Sequence, residues 1–240
     1  MSLSHGETPG LRLSRRCGQC SVRHKAMCSA IETDRVEVLD RIVSHIQIRP
    51  GQTVFEEGDE AKFVYNVSRG HVRLFKLLQD GRRQITGFLA PGDFLGLAAR
   101  QTYAYSAEAI TEADLCRFKV GELETLLEEM PPVRERLYEI ANDELAAAQE
   151  QMLCLGRKTA KERVASFLIS QLRHGAGCGD GGAEFDLPMS RSDIADYLGL
   201  TIETVSRTFT ALREEGLIGL PATHHISIPD IATLEASTEA

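Results

Sequence analysis

Cys17, Cys20 and Cys28 fall within the twelve-residue stretch CGQCSVRHKAMC. This is C-x2-C-x7-C spacing. A C-x2-C pair is compact enough for two thiolates to reach one metal ion or one cluster. Neighbouring Arg16, Arg23 and Lys25 favour the thiolate form and offset the negative charge of a metal–thiolate assembly. A site of the usual kind takes four ligands, and three further cysteines are candidates for the fourth. Cys116 lies in DLCRFKV, where it alternates with Phe118 and Val120 and so faces a domain interior, as a ligand or as a core residue. Cys154 sits on a helical stretch, off its apolar seam. Cys178 sits in the glycine-rich segment GAGCGDGG. Spacing alone leaves zinc, an iron–sulfur cluster and redox thiols all open.

A second group of residues suits base recognition. In MSRSDIADYLGLTIETVSRTFTALREEGLI, residues 189–218, Ser190 or Ser192 can cap a first helix running through Ile194, Ala195 and Leu198. Gly199 supplies the tight turn, and Thr201 caps a second helix. Ala195, Leu200, Val205 and Leu212 pack the two together. This is a helix-turn-helix pattern whose second helix enters a major groove. Glu203, Ser206, Arg207 and Thr210 share one face of that helix. Arg pairs bidentately with guanine, Glu accepts from cytosine and Ser serves either role. Thr201 and Arg191, at the starts of the two helices, are counted with this face as DNA contacts. The following EEGLIGLPATHHISIPD reads as a β-wing.

These groups need elements to position them. The 240 residues allow one large or two ordinary domains, and 42% hydrophobic with 26% charged residues is ordinary globular composition. No apolar run reaches the ~18 residues of a membrane span, and the first residues lack the apolar core of a signal peptide. A cytoplasmic chain is expected, so a disulfide framework is not. The net charge of −8 excludes a generally basic coat but not a small DNA-reading face. From Ile46 to Val120, short apolar runs alternate with glycines, which predicts a β-sandwich, roll or barrel. QDGRR forms a hairpin turn there, and YSAEAI with DLCRFKV forms a closing strand pair. GELETLLEEM is a short helix, interrupted at Pro131 and Pro132. From Val133 to about Leu155 good helix formers dominate. Tyr138, Ala141, Leu145, Ala148, Met152 and Leu155 recur at alternating spacings of three and four, an a/d seam suited to a symmetry mate or to the helix's own β-domain. KTAKERVASFLISQLRHG is a further helix. No nucleophile motif, phosphate loop or acid–base pair stands out, so an enzyme is not expected.

Strand-rich domain, seam helix and winged helix-turn-helix, in that order, resemble the CRP/FNR transcription regulators over nearly the whole chain. TIETVSR resembles the recognition-helix core of the FNR branch. That resemblance implies an α+β fold: a cyclic-nucleotide-binding-like β-roll (jelly roll), a long dimerisation helix and a C-terminal winged helix-turn-helix. It divides the chain into a cysteine-rich arm at 1–30, a sensor domain at 31–130, the dimerisation helix at 131–157 and a DNA-binding domain at 158–240. It implies that Glu203, Ser206 and Arg207 read a TTGAT half-site, and that a homodimer binds double-stranded DNA at an inverted repeat resembling TTGAT-N4-ATCAA.

The resemblance also implies a 4Fe–4S cluster on Cys17, Cys20, Cys28 and Cys116, degraded by oxygen to 2Fe–2S and then lost. The seven-residue gap resembles that of the FnrN- and FnrL-type proteins of α-proteobacteria rather than the five-residue gap of the enteric form. Cyclic nucleotide is not expected. Asp93 follows Gly92, but Tyr105-Ser106 stands where nucleotide-binding members have Arg-Ser, and Arg100 is displaced. RNA polymerase is an expected partner, with the turn Asp80–Thr86, bearing Arg82 and Arg83, as its candidate contact. Glu144 and Glu150 near the seam are candidates for repulsion across the dimer. The alternative is a regulator of the same fold gated by a small molecule or by haem, with His24, His45 or His71 available as haem ligands and the cysteines structural or zinc-binding.

Overall fold

The computed structural model describes residues 17–96, 101–175 and 182–238. Cys178, Arg100 and Arg16 lie outside them. The glycine-punctuated region folds into two facing four-stranded sheets. One has the order β1 (Val43–Ile48), β8 (Ala113–Lys119), β3 (Phe63–Arg69), β6 (Phe94–Leu95). The other has the order β2 (Thr53–Phe55), β7 (Ser106–Ala109), β4 (Val72–Leu77), β5 (Arg83–Leu89). All pairings are antiparallel. This is the expected β-roll, and QDGRR is the β4–β5 hairpin turn. YSAEAI and DLCRFKV do not pair with each other. β7 joins β2 and β4 while β8 joins β1 and β3, because the short connection between them crosses from one sheet to the other. Stacked Phe55 and Tyr103, with Tyr65 beside them, fill the roll's interior.

Two helices follow the roll. α2 (Val120–Glu129) lies between β8 and α3 (Pro131–Arg157), with a short α1 (Glu37–Ile42) before β1. Met130 leaves the helical region and Pro131 restarts it at the first helical position, where its missing N–H costs nothing. Val133 and Leu137 are buried, but every residue from 141 to 150 is exposed.

Lys158 and Thr159 separate α3 from α4 (Ala160–Gly175). The reader domain adds β9 (Ala183–Asp186), α5 (Arg191–Leu198), α6 (Ile202–Glu214), the wing strands β10 (Gly219–Ala222) and β11 (His225–Ile228), and α7 (Ile231–Ala236). β11 pairs with both β10 and β9, so the wing is a three-stranded sheet. Val164, Leu168, Leu172, Ile194, Leu198, Val205 and Leu212 are fully buried between the helices. Ser190 caps α5 in a reciprocal box with Asp193, and Gly199 closes it at φ +61°.

The apolar core of the reader domain extends into the sensor domain. Phe75, Ile85 and Phe88 of the hairpin belong to it, and Phe88, Phe167 and Tyr197 form a triangle with ring centroids 5.2–5.9 Å apart. Arg83 pairs with Asp193 and Asp196, and Arg73 with Asp193 and Glu108. Arg83, expected to be exposed in the turn, is therefore engaged with α5, whereas Arg82 stays exposed. At the far end of α4, His174 Nε2 lies 2.6 Å from Asp93 of the roll. Among the described residues no helix is long and apolar enough to cross a membrane.

Ser190→Ala removes the cap of α5 and leaves Asp193 without its local partner. A loss of about 1–2 kcal/mol in urea denaturation is expected. An unchanged midpoint would mean that the cap contributes nothing.

Candidate metal centre and nucleic-acid interface

The cysteine loop is built by short 3-10 turns at Cys17–Gln19, Met27–Ala30 and Thr33–Arg35. Such a loop cannot satisfy its own backbone, and side chains from outside complete it. Asp40 of α1 accepts from the Cys17 backbone N–H at 3.0 Å. Arg23 spans the loop, donating to the carbonyls of Cys28 and Ile31. Gly92 permits close approach of the roll, since a Cβ there would stand 2.8 Å from Lys25 Cβ. Met27 is fully buried and packs, with Cys17 and Ile31, in one cluster with Val64, Phe118, Val133 and Leu137. The first turns of α3 thus form one wall of the cysteine loop. Arg136 of α3 also donates to the Lys25 carbonyl at 3.3 Å.

Cys116 on β8 borders the same cluster, as its alternation with Phe118 predicts. Burial is the main cause that raises the pKa of Cys17, Cys28 and Cys116, and the charges of neighbouring thiols raise each of them further. Asp40 adds to the effect on Cys17, through its hydrogen bond and its charge. Cys28 reaches about 11 and Cys116 about 12, with Cys20 facing both. Cys154 is buried elsewhere, near Lys158, Arg163 and Tyr197.

Among the described residues, no three or more His, Cys, Asp or Glu side chains are grouped as one metal ion requires. Zinc holds each thiolate at ~2.3 Å, which brings the sulfurs within about 4 Å of one another. A multi-iron cluster takes its thiolates on separate metals, so Cys17, Cys20, Cys28 and Cys116 need not meet at one point to hold one. His45 Nδ1 lies 3.6 Å from Cys116 Sγ. His71 lines a cleft of about 280 Å³ between sensor and reader domains, with Phe88, His174, Asp186 and Met189.

On α6, Thr201 accepts from the Thr204 N–H, and Glu203, Ser206, Arg207 and Thr210 are all exposed on the face opposite Val205, Phe209 and Leu212. Arg191 is half-buried with its guanidinium 3.4 Å from the Phe209 ring centroid, a cation–π contact that braces α5 on α6. On α3, Tyr138 is 70%, Leu145 58% and Met152 71% exposed. Ala141 and Ala148 are also exposed, and Leu155 is partly covered. Glu144 lies beside the roll, where desolvation and then Asp93 raise its pKa to about 7, partly screened because the residue is exposed. Sequence reasoning did not find Arg136, Asp40 or the pairing of Arg73 and Arg83 with α5. Their partners are 23 to 120 residues away along the chain, and no local pattern marks them.

A model of the Crp-like helix-turn-helix domain matches residues 162–237, and one of the cyclic nucleotide-binding domain matches residues 45–130. The transcriptional activator protein FnrL of Cereibacter sphaeroides is 42% identical over 91% of this chain and 90% of its own length. The nitrogen fixation regulation protein FixK of Bradyrhizobium diazoefficiens is 42% identical over 93% and 94%. The solved structure of FixK2 from Bradyrhizobium japonicum superposes with a TM-score of 0.77 at 39% identity, covering 83% of this chain and 98% of that one. A CooA mutant from Carboxydothermus hydrogenoformans shares the fold, with a TM-score of 0.72 at 19% identity over 84% of this chain and 90% of its own.

Cys28 and Cys116 should stay protonated in the metal-free protein at pH 8. Pushing a thiol from its ordinary 9.0 to about 11 cuts its thiolate about a hundredfold. Iodoacetamide should therefore label both far more slowly in the folded than in the urea-unfolded chain. The stability this burial provides is present below pH 9.0 and lost as pH rises toward about 11 to 12. Equal labelling rates in the two states would contradict the burial.

Proposed function

This chain belongs to the CRP/FNR family of DNA-binding transcription regulators, and from that premise we propose that it responds to oxygen through a 4Fe–4S cluster on Cys17, Cys20, Cys28 and Cys116. The observation that carries this reading is that Cys17, Cys28 and Cys116 border one packing cluster with Val133 and Leu137 of α3, while Cys20 acts electrostatically on Cys28 and Cys116. When bound, the cluster supplies an anionic, oxygen-labile crosslink between the loop and β8. Arg23 reaches the loop carbonyls beside Cys28, and its charge lowers the pKa of that thiol against the raising effect of burial. Met27 and Arg136 pass the loop's position to α3. Without that crosslink the loop would rest on α1 and α3 through the Asp40 hydrogen bond, Met27 and Arg136, at the end of α3 where the exposed seam begins.

The exposed seam of Tyr138, Ala141, Leu145, Ala148 and Met152 supports a homodimer joined along α3. A reader alone keeps only its own half-site affinity, while two joined readers bind an inverted repeat far more tightly. Cluster assembly would thus act through a monomer–dimer equilibrium. Glu203, Ser206 and Arg207 would read each half of a TTGAT-N4-ATCAA-like site, working in the cytoplasm where the DNA is. The exposed side of the β4–β5 turn, now Arg82 without Arg83, is the candidate polymerase contact. The aromatic filling of the roll and the missing Arg before Ala107 support a sensor that takes no cyclic nucleotide.

Anaerobically purified protein should be brown, with about four iron and four sulfide per monomer. Cys116→Ser should abolish the cluster and Cys154→Ser should keep it. Colourless anaerobic protein carrying zinc would sink the cluster reading.

The DNA reading is tested separately. Glu203→Ala and Arg207→Ala should each cost about 1–3 kcal/mol and relax base preference at one position of the half-site. Unchanged preference in either variant would move the reading face elsewhere.

A further inference from the structure

We propose that the ion-pair network between the β4–β5 hairpin and α5 sets the half-site spacing the protein accepts, with Arg83 and Asp196 as positioning residues for spacing rather than for base sequence. This rests on the dimeric reading above. Sensor and reader domains are joined covalently by Lys158 and Thr159 alone between α3 and α4. Arg163 locks that joint. Its guanidinium donates to the Leu155 carbonyl at 2.8 Å, to the Lys158 carbonyl at 2.9 Å and to the Leu198 carbonyl at 3.0 Å, tying the end of α3 to the end of α5. A body held at one joint still pivots about it. A second attachment away from the joint removes that freedom.

The hairpin provides the second attachment. Arg83 Nε donates to Asp196 at 2.9 Å and Arg83 Nη2 to Asp193 at 2.8 Å, while Arg73 Nη1 meets the same Asp193 oxygen at 2.8 Å. The other Asp193 oxygen is held by Ser190. The Asp193 side chain is 5% exposed and the arginines 17% and 23%, so solvent screens these pairs little. Guanidinium–carboxylate pairs are directional, which makes them fix orientation as well as distance. Gln84 of the hairpin and Gln151 of α3 both donate to the Tyr197 carbonyl, so sensor, dimer helix and reader meet at one backbone oxygen. His174 with Asp93 adds a further tie along α4.

None of these groups lies on the face of α6 that carries Glu203, Ser206 and Arg207. The network thus fixes where the recognition helix points and leaves what it reads untouched. In a two-fold dimer along α3, the direction of each α6 sets the separation of the two helices. One added base pair displaces a half-site by about 3.4 Å and turns it by about 35°. A pivoting reader can follow that change. A reader held at both joint and hairpin cannot.

The test uses the full chain, reconstituted anaerobically, with dimer formation verified by sedimentation. Duplexes carry TTGAT and ATCAA halves separated by two to six base pairs. Wild type should bind one spacer at least tenfold more tightly than its neighbours. Arg83→Gln and Asp196→Asn should reduce that discrimination to threefold or less, while the penalty for a base change within a half-site stays at its wild-type value. Arg83→Lys, which keeps the charge, should recover part of the discrimination. Wild-type spacing discrimination in both Arg83→Gln and Asp196→Asn would overturn the proposal. If wild type sediments as a dimer yet prefers no inverted repeat, the half-site reading fails instead. The network is then judged by the distance distribution between labels at Lys62 and Glu214: broadening in Arg83→Gln supports it, and an unchanged distribution overturns it.

Discussion

The unpartnered middle of α3 is the constraint on which the rest depends. Residues 141 to 150 touch neither domain closely enough to be buried, although the helix runs without interruption for 27 residues. An isolated helical stretch in water is marginal, and most helical stability comes from packing an apolar face. Among the described residues, only the two ends of α3 have such packing. One end rests on the cysteine loop through Val133 and Leu137. The other is fastened to the reader through Gln151, Cys154 and the carbonyls that Arg163 holds. Among the described residues nothing buries that middle, and whatever alters either end alters how it is presented.

The chemistry of the cysteine loop follows from the same packing. The loop is buried enough to raise its thiols yet carries Arg23 beside Cys28 to oppose that effect. Buried thiols without a metal are inert, and those with a metal are ligands. The loop and the start of α3 share one apolar cluster, so a change in thiol ligation cannot stay local. The reader end is governed by charge rather than by apolar area alone. Asp193 serves at once as the box partner of the α5 cap and as the acceptor for two arginines of the sensor. One carboxylate therefore couples the start of the helix-turn-helix to the β-roll.

The sequence by itself determined the elements and the chemistry each carries. Glycine spacing gave the strands of the roll, the absence of glycine and proline from Val133 to Leu155 gave α3, and Ser190, Gly199 and Thr201 marked the helix-turn-helix, all of which are local signals. It also set Cys116 inward through strand alternation, and Glu203, Ser206 and Arg207 outward through helical spacing. What only the tertiary structure decided was contact between distant segments. It separated β7 from β8 into different sheets, turned Arg83 from a free turn residue into a partner of α5, and stacked Arg191 on Phe209. It also set the cysteine loop against α3 through Met27 and Arg136. Periodicity records which face of an element is apolar, because burial acts on each residue in turn. It does not record which other face that surface meets, because an arginine exposed to water and one paired with a carboxylate 110 residues away have the same local sequence pattern.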